Sequence, residues 1–109
     1  MILLSTAPET FPPKGAIQTD ESGGVCPNGL VIYFQEFQGP GTQEYRLFGL
    51  IDPDGKRTPF LHIYGDGTRG DSKVVVMTPQ GPKKTSLEKL MEVYPTPCDL
   101  AGGFKKATA

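Results

Sequence analysis

The sequence predicts a mainly β domain: a small antiparallel meander or partly closed barrel with one short C-terminal helix and irregular arms at both ends. Three observations carry that expectation. Runs rich in β-branched and aromatic residues follow one another from Leu30 to Thr78. Short stretches of Gly, Pro and Asp separate them. Beyond Pro82 the apolar period lengthens from that of a strand to that of a helix.

The first 28 residues read as an extended arm. Pro8, Pro12, Pro13, Gly15, Gly23, Gly24 and Pro27 interrupt every regular period. Such a segment has too few apolar groups to offset its own ordering entropy, so it is expected to lie on its own domain or on a partner. Its sizeable apolar side chains, Ile2, Leu3, Leu4, Phe11 and Ile17, are the candidate partner-binding residues.

A single β domain is expected over residues 29–95. Its first strand is Leu30 to Phe37, with apolar groups on both faces, which suits a central position. After the turn at Gln38 to Thr42 comes a second strand, Tyr45 to Asp52, in which Gly49 marks a bulge or bend. Asp52-Pro53-Asp54-Gly55 then predicts a type I turn with a bulge, because proline presets φ and glycine accepts the left-handed conformation. Thr58 to Tyr64 forms the third strand, and Pro59, which has no N–H, belongs at an edge. The glycine-rich loop from Gly65 to Ser72 leads to the fourth strand, Lys73 to Thr78. Bent five-stranded versions of such a meander resemble SH3-like or OB-like barrels, with the N-terminal arm available as the extra strand. Thr85 and Glu88 are spaced as a capping box for a helix over 86–93, whose Leu87, Leu90, Met91 and Tyr94 recur on one face. Residues 96–109 read as a second arm.

Composition narrows the functional classes. The chain has 109 residues and a formal net charge of −1, enough for one core and without the strong basic excess of most nucleic-acid-binding domains. The charge is nevertheless uneven. Residues 1–55 hold two cations and seven acids, and residues 56–109 hold nine cations and five acids, so the halves carry −5 and +4. A fold that keeps the halves apart has a charge dipole suited to docking on a partner or on its own neighbours. The opening Met-Ile-Leu-Leu run is too short for a secretion signal, and the expected location is cytoplasmic or within a virion. No membrane association is indicated by an apolar stretch of spanning length. Cys26 and Cys98 lack the spacing of a zinc or redox motif, and the simplest expectation is two free thiols, with a clamp between the arms as the alternative.

No cofactor, metal set or catalytic constellation is expected. Arg69-Gly70-Asp71 resembles the tripeptide read by cell-surface integrins and is a candidate recognition loop, although the same residues make an ordinary turn. Asp66 and Asp71 flank glycines, yet the loop around Gly55 fails the calcium register, with Leu50 and Leu61 where carboxylates are needed. His62 is the lone histidine, and a pairing with Cys26 has no support in the spacing. Gly65-x-Gly67-x-x-Gly70 precedes a strand rather than a helix, so no dipole awaits a phosphate.

Tyr33, Phe34, Tyr45, Arg46, Phe48, Lys56, Arg57, Phe60 and Tyr64 interleave rings and cations as a single-stranded nucleic-acid platform does. The expected function is non-enzymatic: an accessory or structural protein working by contact with other protein subunits, itself included. A capsid-decorating virion component is the concrete example. The alternatives are a small inhibitor of a host or bacterial complex and a small nucleic-acid-binding barrel.

Overall fold

The computed structural model describes residues 11–108. Six antiparallel strands form one sheet, in the order β1 (Ile17–Val25), β2 (Val31–Gln38), β3 (Glu44–Ile51), β4 (Arg57–Tyr64), β5 (Lys73–Thr78) and β6 (Gly81–Ser86). Each strand pairs with its neighbour in sequence, so the sheet is a meander that does not close. Two helices follow, α1 (Leu87–Val93) and α2 (Pro97–Ala107). The mainly β meander is therefore the fold that the sequence predicts.

Alternation sorts the side chains onto two faces. On one, Ile32, Phe48, Leu50, Leu61, Ile63 and Val74 pack with Leu87, Leu100 and Ala101 of the helices. Phe60 and Val74 are fully buried there. On the other face Tyr33, Phe37, Tyr45 and Leu47 form a smaller cluster, against which Phe11 and Ala16 pack. The β3–β4 register shifts at Gly49, where the sequence predicts a bulge. Phe48 faces Leu61 and Gly49 faces Pro59, so Phe60 is the extra residue and joins Leu61 in the helix-side core. Glycine at 49 is required by a close approach, since a Cβ there would overlap the Tyr33 ring. Pro59 lies where β4 pairs with β3 but is not yet reached by β5, whose pairing begins at Leu61.

The Asp52 turn has the predicted form. Gly55 has φ +87°, its N–H donates to the Asp52 carbonyl at 2.8 Å, and the Asp52 N–H donates to the Lys56 carbonyl at 2.9 Å.

Four local expectations are corrected. Part of the N-terminal arm, residues 17–25, is an edge strand whose nine residues are all exposed; no apolar alternation announces it because neither face is buried. Gly81–Ser86, which the sequence assigns to no strand, is the other edge strand, and it too presents mostly polar groups. The C-terminal arm contains α2, whose Gly102-Gly103 pair disguises it. Gly103 is needed because Tyr94 lies where its Cβ would be. Finally, α1 is capped one residue later than the spacing predicts: Thr85 remains in β6, and the Ser86 hydroxyl accepts from the Lys89 N–H at 3.3 Å.

Cys26 and Cys98 are not free thiols but a disulfide across 72 positions of sequence. The strand β1 brings Cys26 to the turn before β2, and α2 places Cys98 in its first turn, so the fold supplies the proximity that sequence separation conceals.

Candidate protein interface

The helices cover the sheet incompletely, and the shortfall makes a groove. Its position follows from how each helix is held. Helix α1 has only seven residues and is anchored at its start by the Gly65–Ser72 loop. The Gly70 carbonyl accepts from the Glu88 N–H at 2.8 Å, and the Ser72 carbonyl from the Leu87 N–H at 2.9 Å. Helix α2 begins at Pro97 after an N-cap at Thr96, whose hydroxyl accepts from the Asp99 N–H at 3.1 Å and donates to the Asp99 carboxylate at 2.9 Å. The Cys26–Cys98 bond and an Asn28 Nδ2 donation to the Cys98 carbonyl at 3.3 Å fix that first turn. Farther along, Phe104 packs on Phe60 with ring centroids 5.9 Å apart, and Lys105 pairs with Asp52 at 3.3 Å.

Between α1, the start of α2 and strands β2 to β4 lies an open groove of about 300 Å³. Phe34, Phe48, Leu61, Leu90, Met91 and Tyr94 supply most of its apolar wall. Phe34 and Phe48 sit side by side, ring centroids 4.8 Å apart, and Met91 is 49% exposed on the rim. A Met at such a rim adapts its shape to an inserted side chain at low cost.

The polar end of the groove is acidic. Glu36 and Arg46 stand opposite each other across β2 and β3, and their side chains meet at 3.3 Å. Arg46, with a side chain only 11% exposed, also pairs with Glu44 at 3.2 Å and donates to the Tyr45 carbonyl at 3.1 Å. Asp66 lines the same end. The Thr68 hydroxyl and N–H hold its carboxyl below the usual carboxylate range, so it is anionic at neutral pH. One guanidinium therefore stands among three carboxylates. An apolar side chain carrying a nearby cation matches this combination of wall and rim.

The other sequence candidates scatter. Ile2, Leu3 and Leu4 lie outside the described residues. Phe11 is stacked on His62 with centroids 4.0 Å apart and makes edge contacts with Phe37, Tyr45 and Tyr64. Ile17 opens β1 and is 70% exposed. In the Arg69-Gly70-Asp71 loop, guanidinium and carboxylate fold onto each other, Nε to Oδ1 at 3.2 Å and Nη2 to Oδ2 at 3.1 Å, rather than pointing apart. A Cys26–His62 nucleophile pair has no thiolate to offer, because Cys26 is bonded to Cys98. The interleaved rings and cations divide between two faces, with Tyr33, Tyr45 and Phe60 buried. Arg57 stacks over Tyr33 at 4.8 Å. Among the described residues no cluster of three or more His, Cys, Asp or Glu side chains is arranged to hold a metal ion. Nor is any helix among them long and apolar enough to cross a membrane.

The groove itself is absent from the sequence reading. Its walls come from three strands and two helices, and only the exposed Met91 beside Leu90 and Tyr94 hints that α1 has more apolar surface than its sheet contact needs. No protein-family model matches the chain, and no curated protein or solved structure matches it.

Proposed function

We propose that this chain is a non-enzymatic accessory or structural component of a larger protein assembly, and that the groove between the sheet and its helices is where a partner subunit docks. The single observation that carries the reading is an apolar groove, walled by Phe34, Phe48, Leu90, Met91 and Tyr94, that the described residues leave open. Burying large apolar side chains in such a site is how small interfaces gain affinity, while the acidic end fixes orientation. The partner segment suited to it presents a large apolar side chain followed by Lys or Arg. Ile2, Leu3, Leu4 and Ile17 would add contact area at the N-terminal end of the chain. A component that decorates a virion or comparable particle fits this mode of action.

The test is co-sedimentation of the full chain with particles isolated from its source, wild type against Met91→Glu and Phe34→Ala. Both variants should remain folded by circular dichroism and leave the particle fraction. Wild-type protein that sediments alone under every condition, or variants that bind undiminished, would overturn the reading.

A further inference from the structure

The meander converts a charge pattern in sequence into one in space. Because strand order follows chain order, the acidic strands of the N-terminal half and the basic strands of the C-terminal half lie toward opposite edges of the sheet. Strands β1 and β2 carry Asp20, Glu21 and Glu36 and no cation. Strands β5 and β6 carry Lys73, Lys83 and Lys84 and no acid. Some of these charges are compensated within the molecule: Glu21 by Arg57 at 3.1 Å, and Glu36 by Arg46. Asp20, Lys83 and Lys84 form no ion pair among the described residues.

Both edges are accessible. All of β1 is exposed, as are Pro82, Lys83 and Lys84 of β6, and among the described residues each edge strand has a strand partner on one side alone. Unpaired backbone N–H and C=O groups along an edge are a template for another strand. Two β1 edges brought together would set carboxylates against carboxylates, and two β6 edges would set ammonium against ammonium, both unfavourable. The unlike edges are complementary. Direction agrees as well: with six strands in a meander, β6 runs opposite to β1, so a second copy shifted along the sheet continues the antiparallel alternation without being turned over.

We infer that copies of this chain associate edge to edge, β1 of one beside β6 of the next, with Asp20 toward Lys83 on the helix-bearing face and Glu21 toward Lys84 on the other, one pair directly opposite and the other diagonal. The inference concerns a surface separate from the groove and does not depend on it. The contact is heterologous and therefore repeats, giving open chains or a ring. It is also short. Pro82 lacks an N–H, and the β1 register shifts between Gln18 and Asp20, so a long ladder is blocked at both ends. A short, exposed, charge-matched contact is weak and sensitive to salt.

Sedimentation velocity on the full chain, over a wide concentration range at low and high salt, tests this directly. Association should rise with concentration and weaken at least tenfold at high salt. Two charge reversals sharpen it: Lys83→Glu with Lys84→Glu makes both edges acidic, and Asp20→Lys with Glu21→Lys makes both basic. Each variant alone should be monomeric, and an equimolar mixture should associate again, because each then offers the edge the other needs. Asp20→Lys alone keeps the Glu21–Arg57 pair and serves where the double change lowers stability; it should weaken self-association several-fold. A wild type that is monomeric throughout, or a mixture of folded variants that stays monomeric, would overturn the inference. Loss of particle binding by the groove variants with self-association intact would separate the two surfaces.

Discussion

The two faces of the sheet are completed by different means. One carries helices α1 and α2, with Phe60 and Val74 fully buried beneath them and a disulfide holding α2 in place. The other is covered by a segment with no helix or strand of its own, in which Phe11 stacks on His62 and touches Phe37, Tyr45 and Tyr64. Helices are rigid cylinders, and two short ones leave a groove where they part. On the other face Phe11 and Ala16 alone of that segment pack against Tyr33, Phe37, Tyr45 and Leu47 among the described residues. Stability is expected to reside on the helix side, and so is the room for a partner.

The largest effect should come from Phe60→Ala, which removes a fully buried ring at the bulge; about 3–5 kcal/mol of unfolding free energy is expected to be lost. Chemical denaturation measures it, and a loss below that of Phe11→Ala would reverse the ranking of the two faces. Cys98→Ser tests the tether. Removing a bond that closes so long a loop should cost about 2–4 kcal/mol, and a reducing agent should lower the wild-type midpoint toward that of the variant. An unchanged midpoint would mean that α2 is held by packing alone.

Phe11→Ala should cost about 1–2 kcal/mol, less than a core phenylalanine because its ring is only partly buried. The His62 ring resonances should shift at the same time, since the stacked ring is gone. Gly55→Ala, remote from both clusters, should cost about 1 kcal/mol because alanine resists φ +87°. An unaltered thermal midpoint would contradict the turn geometry.

The smallest effect concerns pH. The Gln35 amide and then Arg57 hold the Glu21 carboxyl below its usual range. Its folded-state value is depressed, so its stabilising contribution is present above the ordinary carboxylate pKa and is lost as pH falls through the folded value. Glu21→Gln should lower stability slightly at neutral pH and leave acid stability nearly unchanged, so flattening that acid limb; carboxyl resonances followed by NMR titration would check the direction.

How much was legible varies with burial. Strands β2 to β5 were visible because at least one face of each is apolar, and the turn at Asp52 to Gly55 because its residues have narrow conformational preferences. Gly49 marked the bulge for the same reason. Strand β1 was legible only as an extra strand that the N-terminal arm could supply, without bounds, and β6 was not visible. Ile17 to Val25 and Gly81 to Ser86 are edge strands whose side chains face mostly solvent, so pairing with a neighbour, rather than any period of their own, makes them strands. Helix α2 did carry local signals in Thr96, Pro97 and Asp99 and in Leu100 with Phe104, but Gly102 and Gly103 outweighed them until Tyr94 packed against Gly103.

The sequence by itself therefore determined the class of fold, the central strands, the glycine turns, the approximate place of α1 and the unequal charge of the two halves. These depend on residue type and near neighbours. Only the tertiary structure decided which cysteines meet, where Phe11 rests, how Arg69 and Asp71 close on each other, and that a groove opens beside Arg46 and Met91. Each of these joins groups that are distant in sequence or oriented by packing, and proximity of that kind is set by the path of the whole chain.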